Sequence, residues 1–484
     1  MLRWRSTAIG SPDRVSSLVG LVLASCTLLL LGLSLDRITD DQLRGIVTFL
    51  GVLVVGIPIL GVVSRRESDS KIANLLVIAF ITKLGFSLIR YFVLAVVYGD
   101  NADAGKYSDW ATQIAALFRQ GIFAFPDGGI SGRGDETERI AIVLALVYLV
   151  TGVSRFAGTF VFTSICFAGQ VLMWRAFRRA VPNGDDVRYG LLVFFLPSML
   201  FWPSSIGKDA LMVGCVGLVS YGAAQVLGDR TSVGGIAVFA AGVAGLMAIR
   251  PHMGLIAIVA LVVGATAGSI GGIRKKGASK SAIVRLAALV VLVGLGSVGV
   301  SQFGKLFGSD DGAEGTSITS ALDKTKAMTG TGGSEYQPVA VSSPLDLPAA
   351  VVTVLIRPFP WEARNVNGLI AASEGVLFVG LAIAGRRRLL AWVQELPKNP
   401  YLVFCAVYAL VFIVLFSYIG NFGILARQRT QMLPLVLVAL AMHPKPKVSR
   451  RQKLRERRER QRADIVQTAD ILCDEVGEGE VALG

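Results

Sequence analysis

Charge is scarce in this sequence. Only 17% of its 484 residues are Asp, Glu, Lys or Arg, against about 25% in ordinary soluble domains. With 53% hydrophobic residues as well, the chain cannot cover itself with a water-compatible surface, which excludes a soluble globular protein and indicates an all-α polytopic membrane protein. Histidine is nearly missing, and His252 has no second His or Cys near it in sequence, so a histidine-based metal centre has no support. The five cysteines, Cys26, Cys166, Cys215, Cys405 and Cys473, show no metal or redox spacing. Four of them sit in apolar runs, where they serve as small apolar residues. Glycine-rich patches such as Gly264 to Gly272 lack the Lys-Ser/Thr ending of a phosphate loop and read as close helix packing. No repeat of solenoid type is visible.

What charge there is lies unevenly. The net charge is +14, and ten Lys/Arg fall between Lys445 and Arg462. Others cluster in short loops between apolar runs, as membrane orientation requires, and the tail lacks the interleaved aromatics of a nucleic-acid-binding surface. Nucleic acid is therefore not expected as a partner; membrane lipids are. At the N-terminus MLRWRSTAIGSPDR precedes an apolar run, and Leu23-Ala24-Ser25-Cys26 matches a lipoprotein cleavage box. The run continues past Cys26 through TLLLLGLSL, so it reads as a retained membrane helix.

About 20 apolar residues cross a bilayer as a helix. Candidate crossings fall near 15 to 35, 45 to 63, 72 to 97, 157 to 175, 188 to 204, 209 to 227, 232 to 249, 253 to 272, 282 to 302, 367 to 385, 399 to 419 and 427 to 442, about twelve transmembrane helices. Loop charges alternate along this series and put both termini in the cytoplasm, at the inner (cytoplasmic) membrane of the cell. The short run Ile140 to Val153 breaks the alternation if it crosses, and reads as a re-entrant or interfacial helix. The transmembrane domain thus covers 1–443, with external loops 98–156 and 302–366; a cytoplasmic tail, 444–484, is basic, then acidic, and reads as disordered.

The first external loop, GDNADAGKYSDWATQIAALFRQ from Gly99 to Gln120, sets Asp100, Asp103 and Asp109 directly after an apolar segment, at a membrane surface. Their spacing matches no calcium loop, and no cofactor is implied, although a divalent metal stays open. On the same side the loop charges place Tyr107, Lys208, Asp209, Arg250, His252, Arg357, Glu362, Arg364, Arg427 and Arg429, mostly single residues at helix ends beside Pro, Trp or Phe. Cations beside an apolar slot suit a lipid phosphate or pyrophosphate, whose charge is neutralised while its tail stays in hydrocarbon. A nearby carboxylate can deprotonate an incoming hydroxyl, as glycosyl transfer requires. The plainer alternative for each cation is an interfacial anchor. Lys83 and Arg90, seven apart on nearly one face of an apolar run, must turn inward, either in a structural ion pair with a neighbouring helix or as part of the lipid-phosphate site.

Asp103-Ala104-Gly105-Lys106-Tyr107 followed by Ala111 resembles the D-[AE]-x-x-Y-x-x-x-A pattern of the integral-membrane C-type glycosyltransferase superfamily and of related bacterial polysaccharide polymerase-like membrane proteins. The segment Leu144 to Arg179, the run from Leu196-Pro197 to Lys208-Asp209, and Arg427-Gln428-Arg429 to Pro434 are similar to further parts of that family. Ala104 stands where an acidic partner is common, and the family's Lys-Pro-Pro turn is absent. The resemblance implies that Asp103, or Asp100, activates the acceptor, that a sugar on a polyprenyl phosphate or pyrophosphate is the substrate, and that envelope-assembly proteins are partners. Competing readings are a transporter or flippase of a lipid-linked glycan, with Lys83 and Arg90 lining its path, and a non-catalytic scaffold that recruits partners through its tail.

Overall fold

The computed structural model describes residues 39–65, 70–94, 103–123, 135–228, 232–270, 335–364 apart from 340 and 342, and 366–444. The expected crossings at 15 to 35 and 282 to 302, Asp100, the centre of the second external loop and nearly all of the tail lie outside these residues. The described residues through His443 belong to one compact unit. Among the described residues all regular secondary structure is helical, with two isolated bridges, Gly184 to Met442 and Glu335 to Asn421.

The helices run in order α1 Asp40–Arg65, α2 Ser70–Phe92, α3 Asp103–Arg119, α4 Asp135–Thr151, α5 Arg155–Ala180, α6 Asp186–Phe195, α7 Pro197–Phe201, α8 Lys208–Val226, α9 Val233–Ile249 and α10 Pro251–Ile270. They continue as α11 Leu347–Leu355, α12 Val366–Ala384, α13 Arg386–Glu395, α14 Pro400–Phe416, α15 Phe422–Gln428 and α16 Leu433–Leu440. Among the described residues, four stretches are long and apolar enough to cross a membrane: Asp40–Ser64, Ile72–Phe92, Arg155–Ala180 and Lys208–Val226. A fifth arises if Gly368–Ala384 and Arg386–Lys398, bent by 72°, count as one span. Val47, Val54, Val55, Ile59 and Val62 of α1 are exposed, as are Leu369, Val376 and Ile383 of α12. Such contiguous apolar faces are stable against hydrocarbon and not against water.

Two expected spans are broken helices. The run at 188 to 204 divides at Leu196, because Pro197 offers no N–H to continue α6. The run at 427 to 442 divides at a 3-10 turn, Arg429–Gln431, between α15 and α16. The run Ile140 to Val153 falls mostly within α4, whose Tyr148 hydroxyl lies 2.7 Å from the Ser108 hydroxyl of α3.

The centre of the unit is α5 against α8, with α9 on the far side of α8. A Cβ on Gly217 of α8 would come within 2.4 Å of the Cα of Gly169 on α5, and one on Gly169 within 2.5 Å of the Val213 carbonyl oxygen. Only glycine permits that approach, and close backbone packing supplies cohesion that a hydrocarbon solvent does not. Fixing α8 against α5 also fixes its first turn, which carries Lys208 and Asp209.

Candidate functional site

Four separate chain segments deliver charge to one place. Asp103 opens α3, where the positive end of the helix favours a carboxylate. Asp209 stands in the first turn of α8. Arg250 terminates α9, and Pro251 starts the next helix directly after it. Arg427 lies in the last turn of α15, a helix begun by Asn421, whose side chain accepts from the Gly423 and Ile424 amides.

Arg427 bridges the two carboxylates. Its Nε is 3.1 Å from Asp209 Oδ2 and its Nη1 is 3.9 Å from Asp103 Oδ2, while Arg250 Nη2 is 4.0 Å from Asp209 Oδ1. Asp209 and Arg250 are buried, whereas the Asp103 side chain is 57% exposed and that of Arg427 34% exposed. The site therefore has a dry floor and an open rim. Despite the short contact, Arg427 Nε makes no hydrogen bond, and the buried Asp209 Oδ1 accepts none. Tyr107, one turn after Asp103, is buried with its ring 6.1 Å from Trp110. Burial, and then the Asp103 carboxylate, push its hydroxyl up to about 12, so it remains protonated at neutral pH.

The structure thus brings together Asp103, Tyr107, Asp209, Arg250 and Arg427, with Lys208 next to Asp209 in sequence. It places Arg357 and Arg429 elsewhere. Arg429 is fully buried, donating to the carbonyls of Leu355, Arg357 and Ala371 and to Glu374 Oε2 at 3.1 Å. Glu374 in turn accepts from the Ser198 amide at 2.8 Å and from the Ser198 hydroxyl. This knot ties α7, α11, α12 and the turn that follows Arg427. Arg357 holds both Glu362 oxygens and lies 4.8 Å from the Tyr336 ring and 5.2 Å from Phe422, beside a cavity of about 390 Å³.

Lys83 and Arg90 both turn inward and are buried. Lys83 donates to the Met199 carbonyl, and the Arg90 guanidinium lies over Phe201 and Trp202 at 4.5 and 5.2 Å. The His252 ring lies 5.9 Å from that of Phe416. Glu374 is the residue the sequence reading passed over. Its signal was present, since a single carboxylate inside the apolar run IAASEGVLF must find a buried partner.

The cluster can hold an anion. Arg250 and Arg427, with Lys208 adjoining in sequence, face two carboxylates, and the Arg427 Nε–H, which makes no hydrogen bond, can turn to a phosphate oxygen. Asp103, at the exposed rim, is placed to take a proton from an incoming group. No family model, curated protein or solved structure matches this chain.

Proposed function

We propose that the chain is a membrane glycosyltransferase or polysaccharide polymerase that uses a polyprenyl-linked sugar at the outer face of the cytoplasmic membrane. In this reading it has about twelve crossings and both termini in the cytoplasm. The observation that carries the proposal is the pairing of an exposed carboxylate, Asp103, with a cluster of Asp209, Arg250 and Arg427 in which Asp209 Oδ1 and Arg427 Nε lack hydrogen bonds.

In the reaction, Asp103 takes the proton of the acceptor hydroxyl as its oxygen bonds to the sugar's anomeric carbon. The bond from that carbon to the phosphate oxygen breaks, and its electron pair leaves with the phosphate. Arg250 and Arg427 neutralise the charge that develops there, an arrangement that favours the transition state over the bound substrate. Asp209 holds the two guanidinium groups in place, and the neutral Tyr107 buttresses the first turn of α3.

The test is sugar transfer in membranes, read as movement of radiolabelled sugar from lipid-extractable to lipid-free material. Asp103→Asn should lower transfer by roughly 10² to 10⁴, the usual worth of a general base, with insertion and folded yield unchanged. Full transfer by both Asp103→Asn and Asp100→Asn would remove the proposal.

A further inference from the structure

The cavity beside Arg357, about 390 Å³, falls in the volume range of small-ligand sites, and its lining contains none of Asp103, Asp209, Arg250 or Arg427. Its wall is preformed. The Tyr336 amide donates to the Gly420 carbonyl at 2.9 Å, and the Tyr336 ring lies parallel to that of Phe422, the first residue of α15, with centres 3.9 Å apart. Arg357 engages both Glu362 oxygens and the Phe359 amide donates to one of them at 2.8 Å, which fixes the turn Pro360–Glu362. That turn presents Trp361, stacked on Phe359 on one side and 80% exposed, so an open indole face borders the cavity. Polar side chains surround it: Glu362 is half-buried like Arg357, while Glu335, Gln337 and Arg364 are exposed. The Tyr336 hydroxyl is buried and makes no hydrogen bond. Burial raises its pKa above the ordinary tyrosine value, so at neutral pH it has a proton to donate.

We propose that this cavity is a saccharide-binding site that takes one neutral hexopyranose ring of a glycan. The inference goes beyond the glycosyl-transfer reading, because the site uses no residue given a part in that reaction. Composition selects the occupant. Two arginines against two glutamates leave no net charge to draw a phosphate or a simple cation, and four charged side chains exclude an acyl chain. A tryptophan that merely anchors a membrane interface needs no cavity rimmed with charge. A pyranose has an apolar C–H face and a belt of hydroxyls. The face packs on an open aromatic ring, and the belt meets side chains that both donate and accept. Covering so exposed an indole removes apolar area from water, and a sugar oxygen satisfies the buried Tyr336 donor.

The test is saturation-transfer NMR on the full chain in phosphatidylcholine nanodiscs, which avoids sugar-based detergents, with the methyl β-glycosides of glucose, galactose and mannose as probes. At least one should receive saturation, strongest at its ring C–H protons. Trp361→Ala should weaken binding by at least about tenfold, as loss of a central aromatic contact does. Tyr336→Phe should weaken it roughly threefold to tenfold, the worth of one hydrogen bond, without lowering the Tm, because it removes an unpaired buried group. A purely structural tyrosine would not give that combination. Absence of transfer to all three glycosides from the unaltered chain overturns the proposal, so misfolding of a variant cannot shelter it. Undiminished binding in Trp361→Ala also overturns it, as does quenching of Trp361 emission by brominated acyl chains, which would make the residue an interfacial anchor. Saccharide binding that persists while Asp103→Asn keeps full sugar transfer supports the site and removes only the catalytic reading. Transfer abolished by Asp103→Asn with no glycoside bound does the reverse.

Discussion

Two arginine–carboxylate pairs in this protein have the same closest distance, 3.1 Å, and opposite surroundings. Arg429 and Glu374 are 0% and 1% exposed; Arg429 is shared among three carbonyls and Glu374, and both Glu374 oxygens are used. Arg427 stands two residues from Arg429, yet in its pair with Asp209 one carboxylate oxygen is left without a hydrogen bond, where both Glu374 oxygens are used, and Arg427 reaches the open rim. A buried pair is tolerable only when most of its hydrogen bonds are filled, and in the knot both Glu374 oxygens and both Arg429 Nη atoms are engaged, with Arg429 Nε alone left without a partner. Vacant hydrogen bonds in the cluster are costly unless something else fills them, and that is why it, and not the better-formed pair, is the candidate site.

The largest effect should come from breaking the knot. Glu374→Ala leaves the Arg429 charge buried without its counter-ion, and removal of one partner of such a pair costs about 3–5 kcal/mol. Thermal unfolding in detergent should show a large loss of stability and of folded yield. An Arg427→Ala variant should behave in the opposite sense. Its stability should change by no more than about 1 kcal/mol, because the side chain is partly exposed. Transfer should fall by roughly 10² to 10³, the effect of removing one donor to developing charge. Equal stability losses in the two variants would erase the distinction between structural and functional pairs.

The sequence carried much of this in coarse form. Helical class and membrane character follow from long apolar runs with little charge, since hydropathy is a local property that survives any arrangement of the helices. Asp103, Tyr107, Asp209, Arg250 and Arg427 were legible as polar residues at helix ends on one side. Which of them meet was not, because Arg427 and Arg429 are only two apart and share the same local chemistry. The 3-10 turn between α15 and α16 sends one toward Asp209 and the other toward Glu374, a difference made by tertiary packing. The break at Leu196 was similarly hidden: Pro197 was visible, but an apolar run with a proline can kink and continue or divide.

A third pair, Arg357 with Glu362, lies between these extremes at 18% and 20% side-chain exposure, and it gives the smallest measurable effect. Burial raises the Glu362 carboxyl, but the Arg357 guanidinium and the Phe359 amide outweigh it and hold the group below its ordinary 4.5. A depressed carboxylate contributes stability that is complete above the unfolded value and is lost as pH falls through the folded one. The affected element is the turn Pro360–Glu362, where the exposed Trp361 stacks on Phe359 with ring centres 4.9 Å apart. Trp361 emission, isolated as the difference from a Trp361→Phe chain, should hold steady from neutral pH to about 5 and change below the ordinary glutamate range. In Glu362→Gln that acid transition should vanish, with a stability cost of at most about 1 kcal/mol for so exposed a pair. A transition that persists in Glu362→Gln would assign it to another carboxylate. A cost as large as that of Glu374→Ala would mean that exposure does not rank the three pairs.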